Sequence, residues 1–132
     1  MNTDLKINKK FRFRDFEVYK LALKVGTEIK QSARKKFPKE ELFALLSQIS
    51  RAIDSVALNI AEGSERSTDK DFALFLTHAL ASTNEVVACI DVAVLNNYWT
   101  QAEADAFVEK LALLGNQISA FRRAVLKSNV KG

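Results

Sequence analysis

The sequence predicts an all-α fold, an antiparallel up-and-down four-helix bundle that assembles into a homo-oligomer. Apolar residues recur at spacings of three and four in four separate segments, and no segment shows the alternation of a β-strand. The 132 residues include 1 Pro and 4 Gly, so little interrupts long helices. The connections between segments are only a few residues long, which favours antiparallel neighbours.

A chain of this length is expected to form one domain with one core. We expect a basic, partly flexible N-terminal arm at 1–14, the bundle at 15–128 and a C-terminal tail at 129–132. The four helices are expected at about 15–36, 38–62, 68–96 and 100–128.

The first two predicted helices have clear boundary signals. Asp15 is a candidate N-cap for the first, and Pro38 suits the first turn of the second, where its missing N–H costs nothing. Gly63 is expected to turn left-handed after the second helix. The inner faces are predicted to carry Val18, Ala22, Val25, Ile29 and Ala33, then Leu45, Ile49, Ala52, Val56 and Ile60.

The third and fourth helices have similar signals. Thr68 and Asp71 indicate the start of the third, Asn96 and Asn97 its end, and Thr100 with the glutamate three residues later forms a capping box. The predicted inner residues of the third helix are Phe72, Leu76, Ala79, Thr83, Val86, Ile90 and Ala93. Those of the fourth are Ala104, Phe107, Leu111, Leu114, Ile118, Phe121 and Val125.

The third helix is unusually apolar. From Phe72 to Leu95 it has seventeen apolar and seven polar residues, of which only Glu85 and Asp91 are charged. A bundle gives each helix one inner stripe, so a helix that is apolar nearly all round predicts a second chain covering it. The alternative is a wide inner face rich in alanine.

Charge is segregated along the chain, whose net charge is +4. Residues 1–36 hold eleven basic and four acidic residues, residues 37–110 five and twelve, and residues 111–132 four and none. Basic flanks attract nucleic acid or acidic partners, although a lysine-rich tail that only confers solubility is the commoner case.

Catalytic chemistry is not expected. The chain has one His and one Cys, and it lacks Cys-x-x-Cys, His-Glu-x-x-His and a Gly-rich phosphate loop. His78 and Cys89 are three helical turns apart, too far to form a pair. We therefore predict no enzyme, catalytic residue, cofactor or metal. The single cysteine and the polar N-terminus predict a cytoplasmic protein, and no uninterrupted apolar run is long enough to predict a membrane partner.

Polar residues form a stripe beside the apolar face of the second predicted helix. It consists of Gln48, Arg51, Ser55, Asn59 and Glu62, and a matching stripe on the third helix includes Ser82 and Glu85. In a hairpin folded near Glu65, Gln48 is expected level with Ser82. Two interpretations stay open: a network that fixes register, or a binding groove.

The second predicted helix also carries a specific motif, Arg51-Ala-x-x-Ser-Val-x-x-Asn-Ile-Ala-Glu-Gly63. It closely resembles the four-helix-bundle family of 23S ribosomal RNA intervening-sequence proteins. The resemblance extends upstream to Phe13-Arg-Asp-Phe-Glu-Val-Tyr19 and downstream through the third helix to Glu85. Ala44 and Ala81 stand where the family often has Gly, and Asn97-Tyr98 replaces a Gly-Tyr pair.

The resemblance implies a homo-oligomer, typically a pentamer, with no established enzymatic activity. Relatives include the accessory variability proteins of diversity-generating retroelements, which associate with nucleic acid and a reverse transcriptase. This relationship favours nucleic-acid binding, although one fold carries many functions.

Two functions follow as hypotheses. The first is an oligomeric protein that binds RNA, or other nucleic acid, through phosphate contacts. The alternative is a protein-interaction scaffold or accessory subunit, for example a reverse-transcriptase partner. The phosphate contacts are assigned to Lys6, Lys9, Lys10, Arg12, Arg14, Lys20, Lys24, Arg34, Lys35, Lys36, Arg122, Arg123 and Lys127.

Overall fold

The computed structural model describes residues 9–131, which are all-helical and contain no strand. Each helix packs on the next one along the chain, and the fourth also packs on the first. Two 3₁₀ turns, Lys9–Asp15 and Lys39–Glu41, precede the first and second helices. The helices are α1 (Glu17–Lys36), α2 (Leu45–Ser64), α3 (Asp69–Leu95) and α4 (Gln101–Lys131).

Contacts between α1 and α4 connect opposite ends of the two helices. The Phe16 ring, just before α1, lies 5.0 Å from the ring of Phe121 near the end of α4. At the other end of α1, Lys36 Nζ lies 3.2 Å from a carboxylate oxygen of Glu103. The start of one helix therefore meets the end of the other.

The core contains the apolar residues that the heptad pattern predicts. All the predicted inner residues of the first three helices are buried, and so are those of α4 except Phe107 and Phe121, which are half-buried. Trp99 and Phe37 add to the core at the end of the bundle, with ring centroids 4.9 Å apart. The predicted core is confirmed, and these two residues extend it.

The start of α1 differs from its prediction. The N-cap residue is Phe16, with no side-chain cap, so the assignment of Asp15 as N-cap is wrong. The preceding 3₁₀ turn is held by Arg12, whose Nη2 donates to the Ser64 carbonyl at 2.8 Å. This turn occupies part of the expected flexible arm, and Asp15 instead lies 3.6 Å from Lys20 Nζ.

The start of α2 is also later than predicted. Pro38 begins a 3₁₀ turn, and α2 begins only at Leu45. The cap comes from Glu41, whose Oε1 accepts the Leu45 N–H at 3.2 Å while its Oε2 accepts the Tyr98 hydroxyl at 2.6 Å. The prediction that the helix starts at Pro38 was wrong because this cap depends on a residue distant in sequence.

The end of α2 lies beyond Gly63, so the prediction that Gly63 turns left-handed is wrong. A Cβ at this position would lie 2.7 Å from Phe75 Cβ, so glycine permits close packing against α3. Among residues 9–131, left-handed backbone occurs at Asn97, with φ 63°, after the end of α3.

The starts of α3 and α4 agree with their predictions. Thr68 Oγ1 accepts the Asp71 N–H, and Thr100 and Glu103 each bond the other's backbone N–H. These caps satisfy amide groups that a helix start leaves unpaired.

By length and composition alone, α3 is long and apolar enough to cross a membrane, with a mean hydropathy of 1.4 in its most apolar window. Core helices of bundles pass the same test, so this is weak evidence for a membrane. The absence of a membrane partner stays a prediction.

Candidate nucleic-acid interface

Four of the predicted phosphate-binding residues lie on the solvent face of α1. Lys20, Lys24, Arg34 and Lys35 are all exposed. At about 100° and 1.5 Å per residue, they occupy a sector of about 100° and extend over about 22 Å. We call these four residues the α1 stripe.

The α1 stripe is only partly neutralised by carboxylates. Lys20 Nζ lies 3.6 Å from Asp15 and 4.0 Å from Glu17. Among residues 11–128, the other three cations of the stripe have no carboxylate within 4 Å. Glu28, the one acidic residue of α1 after Glu17, is paired with Lys110 of α4. The stripe therefore keeps a net positive field along α1.

Other predicted phosphate ligands are engaged in contacts within the chain, although Arg12 and Lys36 are exposed and Arg122 is half-buried. Arg12 lies over the rings of Phe16 and Phe72, at 5.4 and 5.8 Å, and also donates to a carbonyl of α2. Lys36 pairs with Glu103, and Arg122 Nε donates to the Thr77 hydroxyl at 2.9 Å. Arg12 is an anchor for the N-terminal turn rather than a free cation.

The thirteen predicted residues do not form one surface. Arg122 reaches α3, whereas Lys24 lines a groove of about 340 Å³ between α1 and α4, so these two lie on different sides of α4. Arg123 and Lys127 are exposed near the end of α4, and Arg14 is half-buried. Lys6 lies outside the described residues, and Lys9 and Lys10 belong to the first 3₁₀ turn.

Two polar residues of the α1–α4 groove, Glu17 and Gln117, were absent from the predicted site. Gln117 lines the groove with Lys20 and Lys24. Its place beside the α1 stripe depends on how α4 packs on α1, which no local sequence signal encodes.

The polar stripes of α2 and α3 meet at their centre. The hydroxyls of Ser55 and Ser82 are 2.7 Å apart, and Asn59 Nδ2 donates to both the hydroxyl and the carbonyl of Ser55 at 2.9 and 2.8 Å. The expectation that Gln48 lies level with Ser82 was wrong by seven residues. The contact of Ser55 with Ser82 places the midpoint of the hairpin between Thr68 and Asp69 rather than near Glu65.

Four other members of the stripes, Gln48, Arg51, Glu62 and Glu85, are exposed. Within the described part of the chain, they make no side-chain hydrogen bond and no ion pair. Arg51 therefore does not satisfy the nearby carboxylates within one chain. A register-fixing network is present only at Ser55, Asn59 and Ser82.

His78 and Cys89, the two residues considered for catalysis, lie three turns apart on α3. Burial, and secondarily the charge of Glu85, raises the pKa of the Cys89 thiol, which disfavours the reactive thiolate. His78 is exposed, with its ring 5.9 Å from that of Phe75. Among the described residues, no three His, Cys, Asp or Glu side chains are grouped to hold a metal ion.

Tyr98→Phe is expected to remove a pH-dependent part of the stability. The Tyr98 hydroxyl, with the Leu45 N–H second, lowers the pKa of Glu41 below its ordinary 4.5, and Glu41 raises the pKa of Tyr98 above 10.0. The stabilisation is therefore present between these values and is lost as pH falls below 4.5 or rises above 10.0. Thermal unfolding measured across this pH range should show that the wild type has a higher Tm than Tyr98→Phe. This difference in Tm should become smaller at both ends of the range.

Tyr19→Phe is the matched control for this experiment, because the Tyr19 hydroxyl makes no hydrogen bond with the described residues. A difference in Tm between the wild type and Tyr98→Phe that stays constant from pH 3 to pH 11 would contradict the hydrogen bond between Tyr98 and Glu41.

Comparison with known proteins identifies the chain at the level of its family. The sequence profile of the 23S rRNA-intervening sequence proteins matches residues 14–120, which include the α1 stripe and both polar stripes. The chain belongs to the 23S rRNA-intervening sequence protein family. The resemblance on the α2 motif is thereby confirmed.

A solved structure has the same fold. It is the 1.70 Å crystal structure of a protein of unknown function from the S23 ribosomal protein family of Bacteroides thetaiotaomicron VPI-5482. The TM-score is 0.68 at 18% identity, covering 80% of this chain and 97% of the other. No curated protein matches the sequence.

Proposed function

We propose that this 23S rRNA-intervening sequence family protein is a non-enzymatic, homo-oligomeric nucleic-acid-binding protein that prefers RNA. The observation that carries the proposal is the α1 stripe, whose three cations Lys24, Arg34 and Lys35 have no carboxylate within 4 Å among residues 11–128. The family name, which refers to an RNA segment, supports RNA as the ligand.

The stripe suits a phosphate backbone for a physical reason. Nucleic acids carry closely spaced negative charges with condensed counterions, and each phosphate that a cation neutralises releases counterions. A row of cations about 22 Å long on a rigid helix presents several such contacts at once. Contacts of this kind give affinity with little base preference.

Self-assembly is the second part of the proposal. We place the antiparallel up-and-down bundle in a homo-oligomer because α3 has exposed apolar residues on the side away from the core. Leu74 is 50% exposed and Leu95 83%. Assembly also multiplies the number of stripes that one nucleic acid can contact, which raises avidity. The pentamer expected from the family resemblance stays a prediction.

The first test is direct binding by the purified, nuclease-treated protein. Labelled structured RNA, single-stranded DNA and duplex DNA are titrated across a salt series from 50 to 200 mM. With about four phosphate contacts, affinity is expected to fall by about two orders of magnitude over this range. An absence of binding to all three at 50 mM would refute the proposal.

A protein-interaction scaffold is the competing function, and one observation favours it. Phe43, in the connection between the second 3₁₀ turn and α2, is 91% exposed, and the neighbouring Leu42 is also exposed. Aromatic side chains displayed this way are common anchors of protein interfaces. Binding of a protein partner that is insensitive to salt and abolished by Phe43→Ser would support the scaffold.

A further inference from the structure

Two uncharged polar residues, Thr27 and Gln31, lie between the cations of the α1 stripe. Positions 20, 24, 27, 31 and 34 follow one another at intervals of four and three residues, so they form a nearly straight row along the helix. Both side chains are exposed. Within the described part of the chain, neither makes a hydrogen bond. The middle of the row therefore presents two hydrogen-bonding side chains to a ligand.

The row separates its charged groups from its uncharged ones. Two cations lie at each end, and a gap of about 15 Å along the helix separates Lys24 from Arg34. Thr27 and Gln31 occupy this gap. Glu28, the nearest acidic residue in sequence, is rotated by about 60° around the helix from Gln31 and is paired with a lysine of α4. The row thus offers phosphate ligands at both ends and neutral donors and acceptors between them.

We infer that α1 binds the minor groove of double-stranded RNA, with Thr27 and Gln31 contacting ribose 2′-hydroxyls and the cations at the ends of the row contacting phosphates. The inference rests on the proposed nucleic-acid-binding function, and it names the class of RNA and the residues that distinguish RNA from DNA. A 2′-hydroxyl both donates and accepts hydrogen bonds, and so do a threonine hydroxyl and a glutamine amide. The two sets of groups are chemically matched.

The shape of this surface favours the minor groove of A-form RNA. Because α1 packs against both α2 and α4, only its outer sector is available and it does not protrude from the bundle. The major groove of B-form DNA is about 8.5 Å deep and its minor groove about 6 Å wide, so contacting the floor of either requires a protruding element. The minor groove of A-form RNA is wide and shallow and displays 2′-hydroxyls. A helix within the face of a bundle can reach them.

The row lacks the aromatic side chains with which proteins bind single strands. Such proteins stack unpaired bases on aromatic rings. The one aromatic residue of α1 is Tyr19, which lies about 100° around the helix from Lys20. Tyr19 instead lines a separate groove between α1 and α2. A duplex, whose bases stay stacked on one another, therefore fits the row better than a single strand.

Binding to duplexes of one sequence tests the contact. Fluorescence anisotropy measures the affinity for an RNA duplex, for a DNA duplex and for an RNA duplex with 2′-fluoro sugars, which keeps the A-form but has no 2′-hydroxyl. The wild type is expected to bind the RNA duplex about 10-fold more tightly than either of the others, because two hydrogen bonds are lost in each.

Substitutions at the two residues test their role. Thr27→Ala with Gln31→Ala is expected to lower the affinity for the RNA duplex by about 10-fold and to leave the affinity for the other two duplexes unchanged. Because no phosphate contact is lost, the slope of log affinity against log salt should stay the same. Thr27→Ser, which keeps the hydroxyl, should retain the preference for RNA. Gln48→Ala is the matched control, since Gln48 is exposed on α2.

The outcomes separate this inference from the proposed function. An absence of binding to every nucleic acid at low salt refutes the proposed function and this inference with it. If the protein binds but the double variant loses the same affinity for the RNA and 2′-fluoro duplexes, or loses none, the 2′-hydroxyl contact is wrong and phosphate binding by the α1 stripe stands. Tighter binding of single-stranded RNA than of the RNA duplex overturns the assignment to the minor groove.

Discussion

Replacing Lys24, Arg34 and Lys35 by glutamine is expected to reduce affinity for nucleic acid by about two orders of magnitude at 100 mM salt. Each of these cations is exposed, and none has a carboxylate within 4 Å among residues 11–128. Losing three phosphate contacts should also reduce the slope of log affinity against log salt by about 2 to 3. Fluorescence anisotropy across a salt series measures both quantities.

The control must separate the α1 stripe from net charge. Lys39, Arg66 and Lys70 are exposed cations outside the stripe, and replacing them by glutamine also lowers the net charge from +4 to +1. This control variant is expected to retain most of the affinity. Equal losses of affinity in the two variants would show that binding depends on the total charge of the protein. The proposal that the α1 stripe binds nucleic acid would then be wrong.

The bundle could be predicted well because heptad spacing is a local property of each helix. Predicted inner residues such as Ile29, Leu76 and Ile118 are buried, and the capping box at Thr100 forms. The starts of α1 and α2 could not be predicted in this way. One depends on the Phe13–Phe16 segment docked by Arg12, and the other on Glu41 held by Tyr98.

The candidate sites were less predictable than the core. The basic residues were correctly identified as a class, but sequence does not distinguish a free cation such as Lys24 from Arg12, which two rings and a carbonyl hold. Predicting that Ser55 faces Ser82 would have required the register of α2 against α3, which the packing of Gly63 on α3 sets. The register between two helices is a tertiary property. A shift of one helix by seven residues still places apolar residues against apolar residues, so the heptad pattern does not reveal such an error.

Gly63→Ala is expected to destabilise the protein by about 2 kcal/mol, although alanine is normally the better helix former. The added Cβ would lie 2.7 Å from Phe75 Cβ and 2.9 Å from Phe72 Cδ1. Phe75 Cβ is bonded to the backbone of α3, so relief requires the two helices to separate. Chemical denaturation with urea measures the change in the free energy of unfolding.

Gly115→Ala is the matched control, because a Cβ there meets no atom within 4 Å. Gly115 lies within α4, where alanine should stabilise the helix by about 0.5 to 1 kcal/mol. The same substitution is thus expected to have opposite signs at two helical glycines. If Gly63→Ala stabilised the protein as Gly115→Ala does, the close packing of α2 on α3 would be wrong, and so would the register that places Ser55 level with Ser82.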